Sequence, residues 1–133
     1  MSTSFENKEF IIRYLAAVSG KSKPESLLRE YIDDEELIEH ILATEPSFPK
    51  YEVIPQDILA EGDLVAVRAR FVMIHQGPFM GIPPTGKKID MEGFVNYRVV
   101  NGKIVDHWMI LDSAVMMQQL GIEMVPKTNS TNV

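Results

Sequence analysis

The chain has 133 residues, a mass of 15.1 kDa, a formal charge of −6 at pH 7 and a pI near 5.0, so it fits one ordinary domain and is a poor match for a non-specific binder of phosphate backbones. It contains no cysteine, which excludes disulfide scaffolds, thiolate zinc sites and cysteine nucleophiles. No apolar run approaches the roughly 18 residues of a membrane span, and MSTSFENKEF lacks a signal-peptide core, so the expectation is an acidic cytoplasmic domain with no nucleic-acid or membrane partner.

The first half reads as helices. From Phe5 to Val18, apolar residues recur at Ile11, Leu15 and Val18, with Ile12 and Tyr14 widening the stripe, and Gly20 stands where a left-handed C-cap is usual. Ser22 with Glu25 forms a capping-box pattern around Pro24, ahead of a second helix carrying Leu27, Leu28 and Tyr31. A third helix starts at Asp33, with Glu36 three residues on, and runs to about Thr44 before Pro46 and Pro49 stop it.

After Tyr51 the pattern changes to strands. Tyr51 to Leu59 is the first, and Glu61-Gly62-Asp63 is a turn. From Leu64 to Gln76, Val65, Val67, Ala69, Phe71, Met73 and His75 share one face, with Arg68 and Arg70 on the other. Residues 77–86 form a Gly/Pro loop, Ile89 to Val100 is a further strand, and Asn101-Gly102 predicts a hairpin back through Ile104 to Leu111. A short helix over Ala114 to Leu120 precedes Gly121. Helices followed by a meander of long strands predict an α+β fold, with a curved antiparallel sheet and helices on one face. The domain is expected over residues 1–125, with a polar tail at 126–133.

Asp112 is the most informative residue. Ile104, Trp108 and Ile110 share its parity on the last strand, so a period of two aims it among apolar neighbours, where lost hydration would raise its pKa into a useful acid–base range. It also immediately precedes the last helix and can act as its N-cap. Both roles are open, and they can coexist. His75 closes the inward face of the long strand, either to shuttle a proton or simply to hydrogen-bond a loop. His40 lies at the edge of an apolar helix face, next to Ile41 and three residues from Leu37. His107 and Asp112 are five apart and face opposite sides unless a bulge intervenes, which argues against a metal site and puts His107 with Val105 and Met109, on a face suited to an interface.

Gly81 to Lys87 matches the start of a phosphate-binding loop, but Lys88 replaces the hydroxyl residue, Pro83 and Pro84 remove N–H groups, and an extended segment follows. The nucleotide reading is rejected. The same segment from Gly77 to Pro84 can instead wall the mouth of an apolar cavity, and methionines such as Met73 and Met109 suit an adaptable pocket.

The series His75-x-Gly77, Phe79-x-Gly81-Ile-Pro-Pro-Thr-Gly-Lys87, Tyr97-Arg98, Asn101-Gly-Lys-Ile104, His107-Trp108, Asp112 and Gln119-Leu-Gly121 resembles the SnoaL-like polyketide cyclases, also called predicted ester cyclases, over residues 60–122. The resemblance implies a nuclear-transport-factor-like cone with a pocket inside, commonly a homodimer, and an acid–base aspartate that here is Asp112, with His75 as the strand histidine. It implies an aldol-type ring closure of a carbonyl compound with no metal or organic cofactor. The segment Tyr31 to His40 departs from the polar pocket-lining segment of many members, and His40 is the residue placed to supply the missing contact.

The expected function is therefore acid–base lyase, isomerase or cyclase chemistry on a small apolar carbonyl compound. Asp112 and His75 are the catalytic candidates, Arg98 or His40 anchors the substrate or an enolate, and Trp108, Phe71 and Met73 form the walls. A non-catalytic ligand-binding protein on the same fold is the alternative, and a third is that the His107 and Met109 face serves only in dimerisation.

Overall fold

A computed structural model describes residues 3–122. The tail expected at 126–133 lies outside the described residues. The order is α1 (Thr3–Val18), α2 (Glu25–Tyr31), α3 (Glu35–Thr44), β1 (Glu52–Glu61), β2 (Leu64–Ile74), β3 (Lys88–Val100), β4 (Lys103–Leu111) and α4 (Ser113–Leu120). The four strands form one antiparallel sheet in the order β1-β2-β3-β4. Helices lie over one concave face, as the α+β expectation required.

Alternation decides which face is buried. On β2, Val65, Val67, Ala69, Phe71 and Met73 are buried, and on β3 the buried set is Ile89, Met91, Val95, Tyr97 and Val99. The α1 stripe of Phe10, Ile11, Tyr14, Leu15 and Val18 packs onto this face. Burial of a large aliphatic side chain contributes about 1.5–3 kcal/mol relative to exposure, so this seam supplies the main driving force. The outer face carries charge instead: Arg68 pairs with Asp57 and Glu92, each at 2.7 Å, and Arg70 pairs with Asp90.

The Asn101-Gly102 turn forms as its sequence demands, with positive φ at both residues (52° and 71°). Two helix starts differ from expectation. The α2 N-cap is Pro24 with no side-chain cap bond, so the Ser22–Glu25 box does not form. The α3 N-cap is Asp34, because Asp33 donates its N–H to the Ile104 carbonyl (2.8 Å) and belongs to the connection laid along β4.

The Gly/Pro loop is strapped to the α3–β1 connection. Ser47 accepts at its carbonyl from Gln76 and Gly77 N–H groups, and its hydroxyl donates to the Pro78 carbonyl at 2.6 Å. Gly77 sits so close to that segment that an added Cβ would lie 2.1 Å from the Pro46 carbonyl oxygen. Gly77→Ala is therefore expected to lower stability by about 2 kcal/mol or more, a typical cost of overpacking. Urea unfolding checks this, and an unchanged midpoint would mean the two segments separate freely.

Candidate functional site

One register shift determines what faces the interior at the end of the sheet. Arg98 pairs with Asp106 but Val99 pairs with Ile104, so Val105 is an extra residue on β4. Beyond such a bulge the parity of the strand is reversed. Ile104 is fully buried, yet Trp108 and Ile110 are 48% and 74% exposed, while Met109 and Leu111 face inward. His107 comes inward with them, its side chain 9% exposed.

This corrects several expectations. Asp112 follows the outward parity, is exposed, and caps α4 by accepting the Val115 N–H at 3.2 Å. The water-poor setting expected for it among Ile104, Trp108 and Ile110 is absent, because the bulge separates Ile104 from the other two. Trp108 lies outside, with the Arg98 guanidinium 5.7 Å from its ring centre, and Arg98 donates both Nη1 bonds to Asp63 (2.8 and 2.9 Å). Neither lines the interior cavity. His107 and Met109 are on the helix-covered face, not on an outer interface.

His75 is fully buried away from the cavity. Its Nδ1 accepts the Thr85 N–H (3.2 Å) and meets the Thr85 hydroxyl at 3.0 Å, so the ring proton is on Nε2, which has no hydrogen-bond partner. Phe48 and Phe79 surround the ring. This is the loop-bound strand-end histidine, and no residue of the 77–86 loop walls the cavity.

The cavity lies between α1, α3 and the inner sheet face, with a volume of about 60 Å³. Since about 10–15 Å³ on this measure holds one water, it admits a few waters or the head of a small compound. Phe71, Met73, Val95, Met109 and Leu111 give it an apolar wall from the sheet. Leu37, His40, Ile41 and Thr44 line it from α3, at the spacing of one helix face. Of the expected site residues, His40, Phe71 and Met73 are the ones brought together here.

Three tyrosines complete the lining: Tyr14, Tyr51 and Tyr97. Burial pushes each phenol above its usual range, and for Tyr14 neighbouring Tyr97 and Tyr51 add to the effect. All three are therefore O–H donors at neutral pH, and among the described residues none of these hydroxyls is both sealed off and unpaired. The sequence signal was available in the α1 stripe and in strand parity, but a tyrosine reads equally well as core.

Lys23 also lines the cavity but is fully engaged. Its three ammonium protons go to the Lys21 carbonyl (2.9 Å), the Tyr51 carbonyl (3.0 Å) and Glu45 (3.0 Å), and the group sits 4.0 Å from the Tyr51 ring centre. Burial lowers its pKa, with Glu45 opposing the shift. It is a structural cation. His40 is different: it is an exposed residue with one side on the cavity, and partial desolvation there first, and neighbouring His107 second, lower its pKa from 6.5, with Glu36 acting the other way. Its imidazole is thus neutral at pH 7 and able to accept a proton.

Behind His40, His107 Nδ1 lies 2.7 Å from Asp34 Oδ2. Asp34, Asp106 and His107 also offer ligand atoms within 4.8 Å of one another, the group among the described residues closest to a metal-binding set. The Gln119-Leu-Gly121 element has a structural explanation. Gln119 accepts from the Asp90 N–H (2.7 Å) and donates to its carbonyl (3.1 Å), taking the place of a strand partner where β4 has ended.

An NMR titration of His40 is expected to give a midpoint below 6.5 that rises when His107 is replaced by Gln. Asp112→Ala is expected to leave that midpoint unchanged and to cost about 1 kcal/mol of stability through the lost cap.

The comparisons with known proteins agree with this architecture. The putative-cyclase structure of a Jannaschia protein aligns with a TM-score of 0.80 at 21% identity, covering 93% of this chain and 97% of that one. IdmH of Streptomyces antibioticus, labelled a putative polyketide cyclase, aligns at 0.74 and 30% identity, covering 87% and 99%. AclR of Streptomyces galilaeus, labelled a putative hydroxylase, aligns at 0.78 and 25% identity, covering 96% and 88%. No curated protein matches the chain. The family model for SnoaL-like polyketide cyclase matches residues 24–120, a span that holds α2, α3, the whole sheet and α4, and the chain belongs to that family.

Proposed function

We propose that the protein catalyses cofactor-independent acid–base chemistry, of lyase, isomerase or aldol-cyclase type, on a small apolar carbonyl compound. The observation that carries this is the company His40 keeps: it lines an apolar cavity together with Tyr14, Tyr51 and Tyr97, and its lowered pKa favours the neutral imidazole. The membership in a family of polyketide cyclases supports the same reaction class.

The chemistry follows from these groups. His40 removes a proton from the carbon beside the substrate carbonyl, and the electron pair moves onto the carbonyl oxygen. The resulting enolate oxygen is stabilised by O–H donors from Tyr14, Tyr51 or Tyr97 in a medium where such bonds are strong. Return of the proton to another carbon isomerises the substrate. Attack of the enolate carbon on a second carbonyl forms a C–C bond, the new alkoxide takes the proton from His40, and a ring closes. The base role passes from Asp112 to His40 because His40 is the one on the cavity.

Deuterium uptake at the α-carbon of small ketones and β-dicarbonyls, followed by NMR, tests this. Wild-type protein should accelerate uptake, His40→Gln should slow it by about 100-fold or more, and Tyr97→Phe by roughly tenfold or more. Asp112→Ala should leave the rate unaltered. Because only neutral His40 accepts the proton, the rate should climb with pH below 6.5 and be level above it. No acceleration by wild type across the panel would sink the enzyme reading and leave the ligand-binding one.

The homodimer belongs to the same proposal. The outer sheet face exposes Phe94 and Ile110, directly paired across β3 and β4, next to Trp108. Arg68, Arg70, Asp57, Asp90 and Glu92 place both signs of charge on that face, as a two-fold contact between identical copies needs. Ile110→Asp should convert a dimer into a monomer in light scattering, and a wild-type monomer would refute the contact.

A further inference from the structure

We infer that Asp34 is the positioning residue of this site: one carboxylate ties the helix carrying His40 to the strand carrying His107 and decides which nitrogen of His107 bears the proton. Its two oxygens have separate tasks. Oδ1 accepts the Leu37 N–H at 3.3 Å and caps α3. Oδ2 lies 2.7 Å from His107 Nδ1. The two side chains are 10% and 9% exposed, so water competes little for either bond.

The placement is specified from both sides. The chain before Asp34 is laid along the start of β4, with Ile32 bridged to Ile104 and the Asp33 N–H bonded to the Ile104 carbonyl. The bulge at Val105 turns His107 inward, and the Asp106 carboxylate accepts the His107 N–H at 2.9 Å. Asp34 then begins a helix on which Leu37, His40, Ile41 and Thr44 face the cavity. His40 stands six residues on, about 9 Å along the axis. A shift at the cap is thus a shift of the base.

A carboxylate accepts and cannot donate, so in the neutral imidazole it holds the His107 proton on Nδ1 and leaves Nε2 unprotonated, whereas the imidazolium, the form whose charge lowers the His40 pKa, carries a proton on both nitrogens. An asparagine at 34 keeps the cap, since Asn is as good an N-cap as Asp. Its amide N–H₂ would instead donate to Nδ1, which moves the proton to Nε2. The same carboxylate-to-amide change in a serine-protease triad leaves the geometry intact but enforces the wrong tautomer.

The kinetic consequence rests on His40 being the base, whereas the tautomer itself does not. The experiment combines ¹⁵N NMR of the imidazoles, thermal unfolding and ketone deuterium uptake for wild type, Asp34→Asn and Asp34→Ser. At a pH where its ring is neutral, wild-type His107 should show one tautomer, protonated at Nδ1. Asp34→Asn should unfold at the wild-type midpoint, show the proton on Nε2, and lower kcat for uptake tenfold or more with KM unchanged. Asp34→Ser should keep the cap and show both tautomers. Mixed tautomers in wild type, or wild-type kcat in Asp34→Asn, would overturn the inference. So would a chelator-sensitive His107 signal, because it would mean a divalent ion bridges Asp34, Asp106 and His107. If wild type shows no uptake at all, the base assignment falls, and the tautomer measurement still decides for or against Asp34.

Discussion

The interior of this molecule depends on one extra residue in one strand. Val105 has no partner across the β3–β4 ladder, and its insertion reverses every side chain from Asp106 to the end of β4. Without it, Trp108 and Ile110 would crowd the cavity while His107, Met109 and Leu111 faced solvent. A period-two element has no gradual response to such a change, because one residue of slip exchanges the two faces completely. The bulge therefore selects both the apolar wall of the cavity and the histidine behind it. It also leaves an apolar outer face where Phe94 and Ile110 meet.

Polar groups inside an apolar cavity are tolerated only when their bonding is arranged, and the site separates those that are occupied from those that are available. Lys23 has three acceptors for its three protons, so it holds the α1–α2 connection to the segment around Tyr51 and Glu45. Thr44 donates to the His40 carbonyl at 2.7 Å. The phenols are kept protonated by burial, and His40 is kept neutral by partial desolvation at the cavity rim and by the charge of His107. Donors stay donors and the acceptor stays an acceptor at the same pH. That division of roles, not a single unusual group, is what makes proton transfer next to a carbonyl chemically reasonable here.

Most of the frame was legible from the residues. Strand parity on β2 placed Phe71 and Met73 inward, the helix periodicity put His40 at the edge of an apolar face, and Asn101-Gly102 fixed the hairpin. The illegible part begins at Val105. In the stretch from Lys103 to Leu111 both parities are apolar: Ile104, Trp108 and Ile110 on one, Val105, Met109 and Leu111 on the other. Such a strand has no alternation to mark its register, and a bulge of ordinary residues leaves no sequence signal. Counting from Ile104 carried the error through Trp108 to Asp112. The capping reading of Asp112 needed only its position before α4, so it survived. Arg98 failed for a different reason: its partner Asp63 sits in the β1–β2 turn, 35 residues away, and no local pattern predicts that pairing.

The size of the cavity bears on what the fold can accept. About 60 Å³ is well below the roughly 150 Å³ in which an apolar protein cavity takes up benzene, so a multi-ring substrate cannot lie wholly inside. For the proposed reaction the parts that must be inside are few: a carbonyl oxygen and the carbon that loses its proton. His40 is on the solvent edge of α3 while the three phenols are buried, so the natural orientation puts the carbonyl oxygen deep and the rest of the molecule toward the opening. Selectivity would then be exerted at that opening, by the residues of α3 around His40. For the proposed reaction, that makes α3 the element whose substitution should change which compounds are accepted without changing how they react.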